Sequence, residues 1–221
     1  MTSSRILRRR STKSPKVICT ITGSATLGGP KAHIGVSVVS GNATITGGSI
    51  TDCASSTSGA VYSLSSGTVS ITGADLSGNY NGVMGADAMG AISASGCNFS
   101  NTTRVETAAD STFTGNYWGT TDANSIAAIA LDSIRFSPFS TTSANTATTE
   151  GAVLLTGQGR SYSTIQAALD ASATTSSSTV TVSAGNYNES PVIKDSGLTV
   201  SVATGAYSGA SGTTPLTFTL D

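Results

Sequence analysis

The side chains able to do chemistry are few and scattered. Twelve carboxylates, eleven Lys or Arg and one histidine are spread over 221 residues. Acid–base catalysis on a repetitive scaffold needs two carboxylates side by side, with a cation or an imidazole to tune them. The acids Asp52, Asp75, Asp87, Glu106 and Asp110 instead fall about one per repeat, each at its own offset from a recurring glycine (Gly23, Gly47, Gly73, Gly96). His33, in KAHIG, has no neighbouring acid to orient its ring and reads as a turn or surface residue. Asp122, in TTDANS, has the type and position of a helix N-cap. Cys19, Cys53 and Cys97 stand −4, +6 and +1 from the repeat glycines, so they form no stacked disulfide or metal set and read as buried thiols. The expectation is a chain with no catalytic residue, no metal site and no cofactor.

Charge is concentrated in one place. Arg5, Arg8, Arg9, Arg10, Lys13 and Lys16 put +6 on residues 1–16 and leave −7 on the rest. A flexible basic arm of this kind docks on an acidic protein surface, stays solvated or touches phosphate. No aromatic residue interleaves with the basic ones, so reading of nucleic acid is not expected. Only Ile6 and Leu7 interrupt the arm, short of the roughly 7–15 apolar residues of a secretory signal, and no stretch has the length and hydropathy of a membrane span. The sequons at Asn42, Asn98, Asn101 and Asn188 fit chance in a Ser/Thr-rich chain.

The elements that must position these residues are short strands. Charged residues make up 10% of the chain, against about 25% in ordinary domains. The segment TVSITGADLSGN (68–79) returns as ATITGGSITDC, CTITGSATLGG and a worn AISASGCNFSN, with the glycines 24, 26 and 23 residues apart. That period marks a solenoid with one coil per repeat. Ile21, Ile45, Val69 and Ile71 alternate inward, and Leu27, Ile50, Leu76 and Phe99 are expected to form an interior ladder. Asn42, Asn79, Asn81 and Asn101 are turn candidates. Four such coils stack to roughly 20 Å.

The run GAVYSLSSGTVSITGADLSGN (59–79) is similar to the repeat of right-handed parallel β-helix proteins of the pectate-lyase-like superfamily. A second resemblance lies at STFTGNYWGTTDANSIAAIALDSIRFSPF (111–139), where an NYWG stretch closes many such helices. It implies Trp118 and Tyr117 as a plug over the final coil and a short helix near Ser125. A third, AVLLTGQGRSYSTIQAALDASATTSSSTVTVSAGNYNES (152–190), resembles the start of a β-helix in the same superfamily. There a short helix near Ile165 caps the first coil, and Ser163 with Gln166 makes a capping box. The family's Gly-Asp turn is replaced by TTSSS at 174–178.

These readings give an all-β chain: a right-handed parallel β-helix solenoid in two segments with short capping α-helices. The expected layout is a basic arm at 1–16, a β-helix at 17–140 ending in the NYWG plug, a Thr/Ser/Ala linker at 141–150 and the start of a second β-helix at 151–221. The first segment opens without a cap and the second runs out without a plug. Head-to-tail self-assembly is therefore expected through Val17, Ile21 and Ile45 at one end and Leu198, Val200, Leu216, Phe218 and Leu220 at the other. The function expected is a non-enzymatic structural protein of a cell surface, extracellular filament or virion. The alternative is a polysaccharide-binding spike or adhesin, or a lyase-like enzyme.

Overall fold

The computed structural model describes residues 18–22, 26–28, 35–38, 41–53, 59–63, 68–85, 92–107, 110–131, 134–171, 178–194, 197–209 and 212–221. It is a mostly β protein, a β-solenoid of about seven turns with parallel strands and two short helices. No helix among the described residues is long and apolar enough to cross a membrane.

Strands β1–β23 and helices α1 and α2 are numbered in chain order. One face stacks β1 (Ile18–Thr22), β4 (Asn42–Thr46), β7 (Val69–Thr72), β9 (Ile92–Ser95), β11 (Ser111–Thr112) and β12 (Ile134–Arg135), all parallel. A second face stacks β3 (Val36–Val38), β6 (Val61–Ser63), β8 (Asn81–Gly85) and β10 (Arg104–Glu106). The third pairs β2 (Thr26–Gly28) with β5 (Ser49–Thr51) and continues through the single bridges Ser49–Asp75, Asp75–Asn98 and Asn98–Tyr117. In β4, β7 and β9 buried and exposed residues alternate strictly, so each strand gives the interior two small or β-branched side chains.

The register places Ile21 on Ile45 and Ile45 on Ile71, as the repeats imply. Leu27 pairs with Ile50, and Ile50, Leu76 and Phe99 are all buried. Gly47, Gly73, Gly96 and Gly115 close the first strand of four coils at φ +65, +64, +61 and +71. At Gly73 a Cβ would meet nothing within 4 Å, so glycine is needed there for the left-handed turn and not for room. A residue other than glycine, asparagine or aspartate would pay roughly 1–2 kcal/mol at such a turn.

The first face does not stop at four repeats. The NYWG stretch is a further rung: Thr112 pairs with Ser93, Tyr117 bridges Asn98, and Trp118 buries beside Phe99 with ring centroids 4.9 Å apart. A later coil carrying Phe136 and Phe139 lies beyond it. Trp118 and Tyr117 are therefore ladder positions rather than the expected plug. Of the asparagines expected at turns, only Asn101 is left-handed (φ 56). Asn79 is 1% exposed and turns inward, accepting from the Cys53 amide and donating to the Ile50 and Leu76 carbonyls. Asn116 repeats this with Cys97 and Ala94. At a corner that interrupts backbone pairing, an amide side chain satisfies the interior groups that would otherwise be orphaned.

Residues 141–150, expected as a linker, fold back on the first body. The strand β13 (Phe139–Ser140) pairs antiparallel with β14 (Thr148–Thr149), and Asn145 donates to the Gly96 carbonyl. The second body opens with a hairpin, β15 (Val153–Thr156) and β16 (Arg160–Tyr162), and β15 also pairs with β17 (Thr179–Val182). Coiling then resumes, with β17 parallel to β20 (Thr199–Val202), β18 (Gly185–Asn186) to β21 (Ala206–Ser208), and β19 (Val192–Ile193) to β23 (Thr219–Leu220). The strand β22 (Thr214–Pro215) folds back on β21. Two hydrophobic clusters fill the bodies, and Ala127, on α1 (Ala123–Ile129), packs against both.

Candidate functional site

Three places combine positioned polar groups with an accessible or interfacial setting: a corner cleft, the joint between the bodies and the uncovered face of the last coil.

The cleft, about 400 Å³, follows one corner of the solenoid. Asp52 (φ 59), Gly78 (φ 68) and Asn101 (φ 56) occupy that corner on three coils, all left-handed. Two of the three are not glycine; Asn and Asp tolerate this region because their short polar side chains bond locally. Tyr80 stands at the mouth, 48% exposed, with Thr103 beside it. Cys53 lies at the floor, 2% exposed, and burial followed by the Asp52 charge pushes its thiol up. Cys97, walled into the core, is pushed up to about 11 by burial, so both are inert protonated thiols at neutral pH. The surroundings offer an aromatic ring, a carboxylate, an amide and a hydroxyl, groups able to hold a polar ligand.

The joint is built from both bodies. Asp122 caps α1, accepting from the Ser125 amide at 3.1 Å and the Ser125 hydroxyl at 2.6 Å, and it also accepts from the Ser163 hydroxyl. Ser163 Oγ in turn accepts from the Ala123 amide at 3.0 Å, while Asn124 takes the Ser163 amide and reaches Thr164. The capping box expected between Ser163 and Gln166 is not formed. Helix α2 (Ile165–Leu169) begins after Thr164, which makes no side-chain cap, and its first amides go to Glu189, with Ile165 and Gln166 each donating to a carboxylate oxygen at 3.0 Å. Ser163 is drawn away because the exposed N-terminus of α1 lies opposite. Gln166 instead clamps β19, accepting from the Val192 amide and donating to its carbonyl.

At the other end of α1, Arg160 enters from β16 and is 3% exposed. Its Nη atoms donate to the carbonyls of Ala127, Ala130, Leu131 and Ile134 at 2.9–3.5 Å, and Nε donates to the Tyr162 hydroxyl at 3.2 Å. All five guanidinium N–H groups are thus used. The cation also lies 5.1 Å from the Phe136 ring centroid. The C-terminal carbonyls of a helix carry partial negative charge, so they suit a buried cation. Gly151 seals the joint by its lack of a side chain: a Cβ there would stand 2.6 Å from the Tyr162 carbonyl oxygen and 2.7 Å from the Ala123 Cβ.

Hydrogen bonds from Ser125, then from Ser163, hold the Asp122 carboxyl below its ordinary range. A depressed carboxyl stabilises fully above its unfolded value of about 3.9, and that stability is lost as pH falls through the folded value. Asp122→Asn is therefore expected to lower stability at neutral pH and to flatten the acid limb. Urea midpoints of both proteins, measured from neutral to strongly acidic pH, should converge at the acidic end.

The last coil is half covered. Leu198, Val200, Leu216 and Phe218 are partly buried against the second core, whereas Val202 is 42% and Leu220 79% exposed. Ile45, expected at an assembly edge, is instead 1% exposed beneath β1, because Ile21 pairs over it. Val17, the arm residues Arg5, Arg8, Arg9, Arg10, Lys13 and Lys16, and also His33 and Asp87, lie outside the described residues. Among the described residues no three His, Cys, Asp or Glu side chains converge as ion ligands. Asp75 pairs with Asn98 along the third face and Asp110 with Arg135.

Sequence reasoning missed Arg160, Glu189 and Tyr80. Arg160 carried a signal, as the one basic residue between Arg135 and Lys194, set beside aromatic Tyr162. Fold and joint together define the chain as a parallel β-solenoid of two bodies sealed end to end. No protein-family model matches it, and comparison with curated proteins and with solved structures finds no match.

Proposed function

We propose that this chain is a non-enzymatic structural β-solenoid of the pectate-lyase-like kind, serving a cell surface, extracellular filament or virion by stacking coils end to end. The observation that carries the reading is the last coil. The last coil, with β20 and β23 as its edge strands, presents half-buried Leu198, Val200, Leu216 and Phe218 beside exposed Val202 and Leu220. An open strand edge over a half-covered apolar core accepts another coil by backbone pairing, and each covered Val or Leu contributes about 1.5–3 kcal/mol. In a preparation of this chain alone, the coil comes from a second copy. The contact is heterologous, so it propagates or closes as a ring. Three parallel faces with Gly and Asn corners support the superfamily assignment.

Light scattering over a rising concentration series tests this. Association is expected, and Val202→Lys with Leu220→Lys should abolish it; a monomer at every concentration sinks the reading.

The cleft favours a second reading, binding of a surface polysaccharide. Tyr80 offers a ring face, while Asp52, Asn101 and Thr103 offer directional partners along an axial groove that suits a linear polymer. Calorimetric titration with neutral and acidic oligosaccharides checks it. Binding lost in Tyr80→Ala supports it, and binding unaffected by that change removes the cleft from consideration.

A further inference from the structure

The first face of the solenoid has an outer side as regular as its interior. In β4, β7, β9 and β11 the residues between the buried ones are Thr44, Thr46, Ser70, Thr72, Ser93, Ser95 and Thr112, all exposed. Backbone pairing sets them in two files. Thr44, Ser70, Ser93 and Thr112 stand on one, and Thr46, Thr72 and Ser95 on the other, without a register slip. The backbone register continues through β1, with Thr20 opposite Thr44 and Thr22 opposite Thr46. Strand spacing places neighbours in a file about 4.8 Å apart, and the rise of a strand places the files about 6.6 Å apart. The result is a two-dimensional lattice of hydroxyls fixed by backbone hydrogen bonds.

Chemistry sets this face apart from the rest of the surface. None of these seven residues is charged or aromatic, and the first charge along the files is Arg135, which lies at the far strand and is paired with Asp110. Among the described residues their hydroxyls have no hydrogen-bond partner, unlike Asn42, which accepts from the Thr68 amide at the head of the same face. A rigid array of free hydroxyls and threonine methyls holds first-shell water at the array's own spacing, since water makes nearly as good a bridge as a direct partner and little entropy remains to be lost. The repeat along the files is close to that of an oxygen row in ice. A crystalline polysaccharide would be gripped by a row of flat aromatic rings, and this face has none.

We propose that the outward face of β4, β7, β9 and β11 binds ice, with the Thr and Ser files as the contact lattice. The ligand is the crystalline surface of water, and no cofactor takes part. The full chain is expected to slow ice recrystallisation and to partition into a growing ice hemisphere. Thr72→Lys, at the centre of the face, places a flexible hydrated cation in the lattice and should abolish both activities, as should Thr46→Lys. Thr142→Lys, exposed on the hairpin and in neither file, should leave both unchanged. Circular dichroism of each variant separates loss of the lattice from loss of the fold, because all three side chains are solvent-facing. Ice growth untouched by the native chain overturns the proposal. So does equal activity in Thr72→Lys and Thr142→Lys, or retention on crystalline cellulose or chitin with no effect on ice.

Discussion

Arg160→Met is expected to lower the unfolding free energy by about 3–5 kcal/mol, the largest effect of any single change at the joint. Methionine fills much of the same space but donates nothing. The carbonyls of Ala127, Ala130, Leu131 and Ile134 then lose a donor, as does the Tyr162 hydroxyl its partner, in a place from which solvent is nearly excluded. Each buried acceptor left unmatched costs about 1–3 kcal/mol, and water entering the gap recovers part of the sum. Arg160→Lys should rescue only partly, since an ammonium has three donors and no planar fork to span four carbonyls. Urea unfolding followed by circular dichroism gives the free energies. Limited proteolysis tells where the damage falls: the native chain should resist cleavage at 141–164, and the methionine variant should be cut there first. A loss below about 1 kcal/mol would mean that α1 and Gly151 hold the joint without the guanidinium.

Trp118→Ala is the second large effect, also about 3–5 kcal/mol. Trp118 is 1% exposed and stacks on Phe99, with Phe113 and Phe136 at centroid distances of 6.5 Å. Truncation opens a cavity inside a ladder whose neighbours are fixed by backbone pairing above and below, so collapse around the gap is restricted. Among the described residues the indole Nε1 has no hydrogen-bond partner, so Trp118→Phe loses volume but no bond and should cost less than about 1.5 kcal/mol. The contrast between the two variants is the measurement. If alanine proved as mild as phenylalanine, Trp118 would not be a packed rung of the ladder.

The joint and the interior differ in how far the sequence revealed them. The recurrence of I-x-G-x-x-[ILF] gave away the solenoid, the inward side of each strand and the Ile21–Ile45–Ile71 stack, because side-chain alternation and a left-handed glycine are local rules. The same rules stopped short at NYWG, which departs from the repeat in spacing: Gly115 follows Gly96 by 19 residues, where the earlier glycines stand 23 to 26 apart. Only backbone pairing places Trp118 over Phe99. Asn79 and Asn116 show the same limit, because an asparagine near a glycine has the look of a turn whether it faces water or the core.

What the sequence determined by itself is the class of fold, since each coil needs only its own alternation and its turn to be specified. What tertiary structure decided is the pairing of parts distant along the chain. Ser163 caps α1 instead of α2, Glu189 takes the cap that Ser163 leaves, and Arg160 closes the end of the preceding body. Each of these choices depends on which orphaned N–H or C=O group lies opposite after the two bodies meet. A helix terminus states that it needs a partner, but not which residue twenty to forty positions away will supply it.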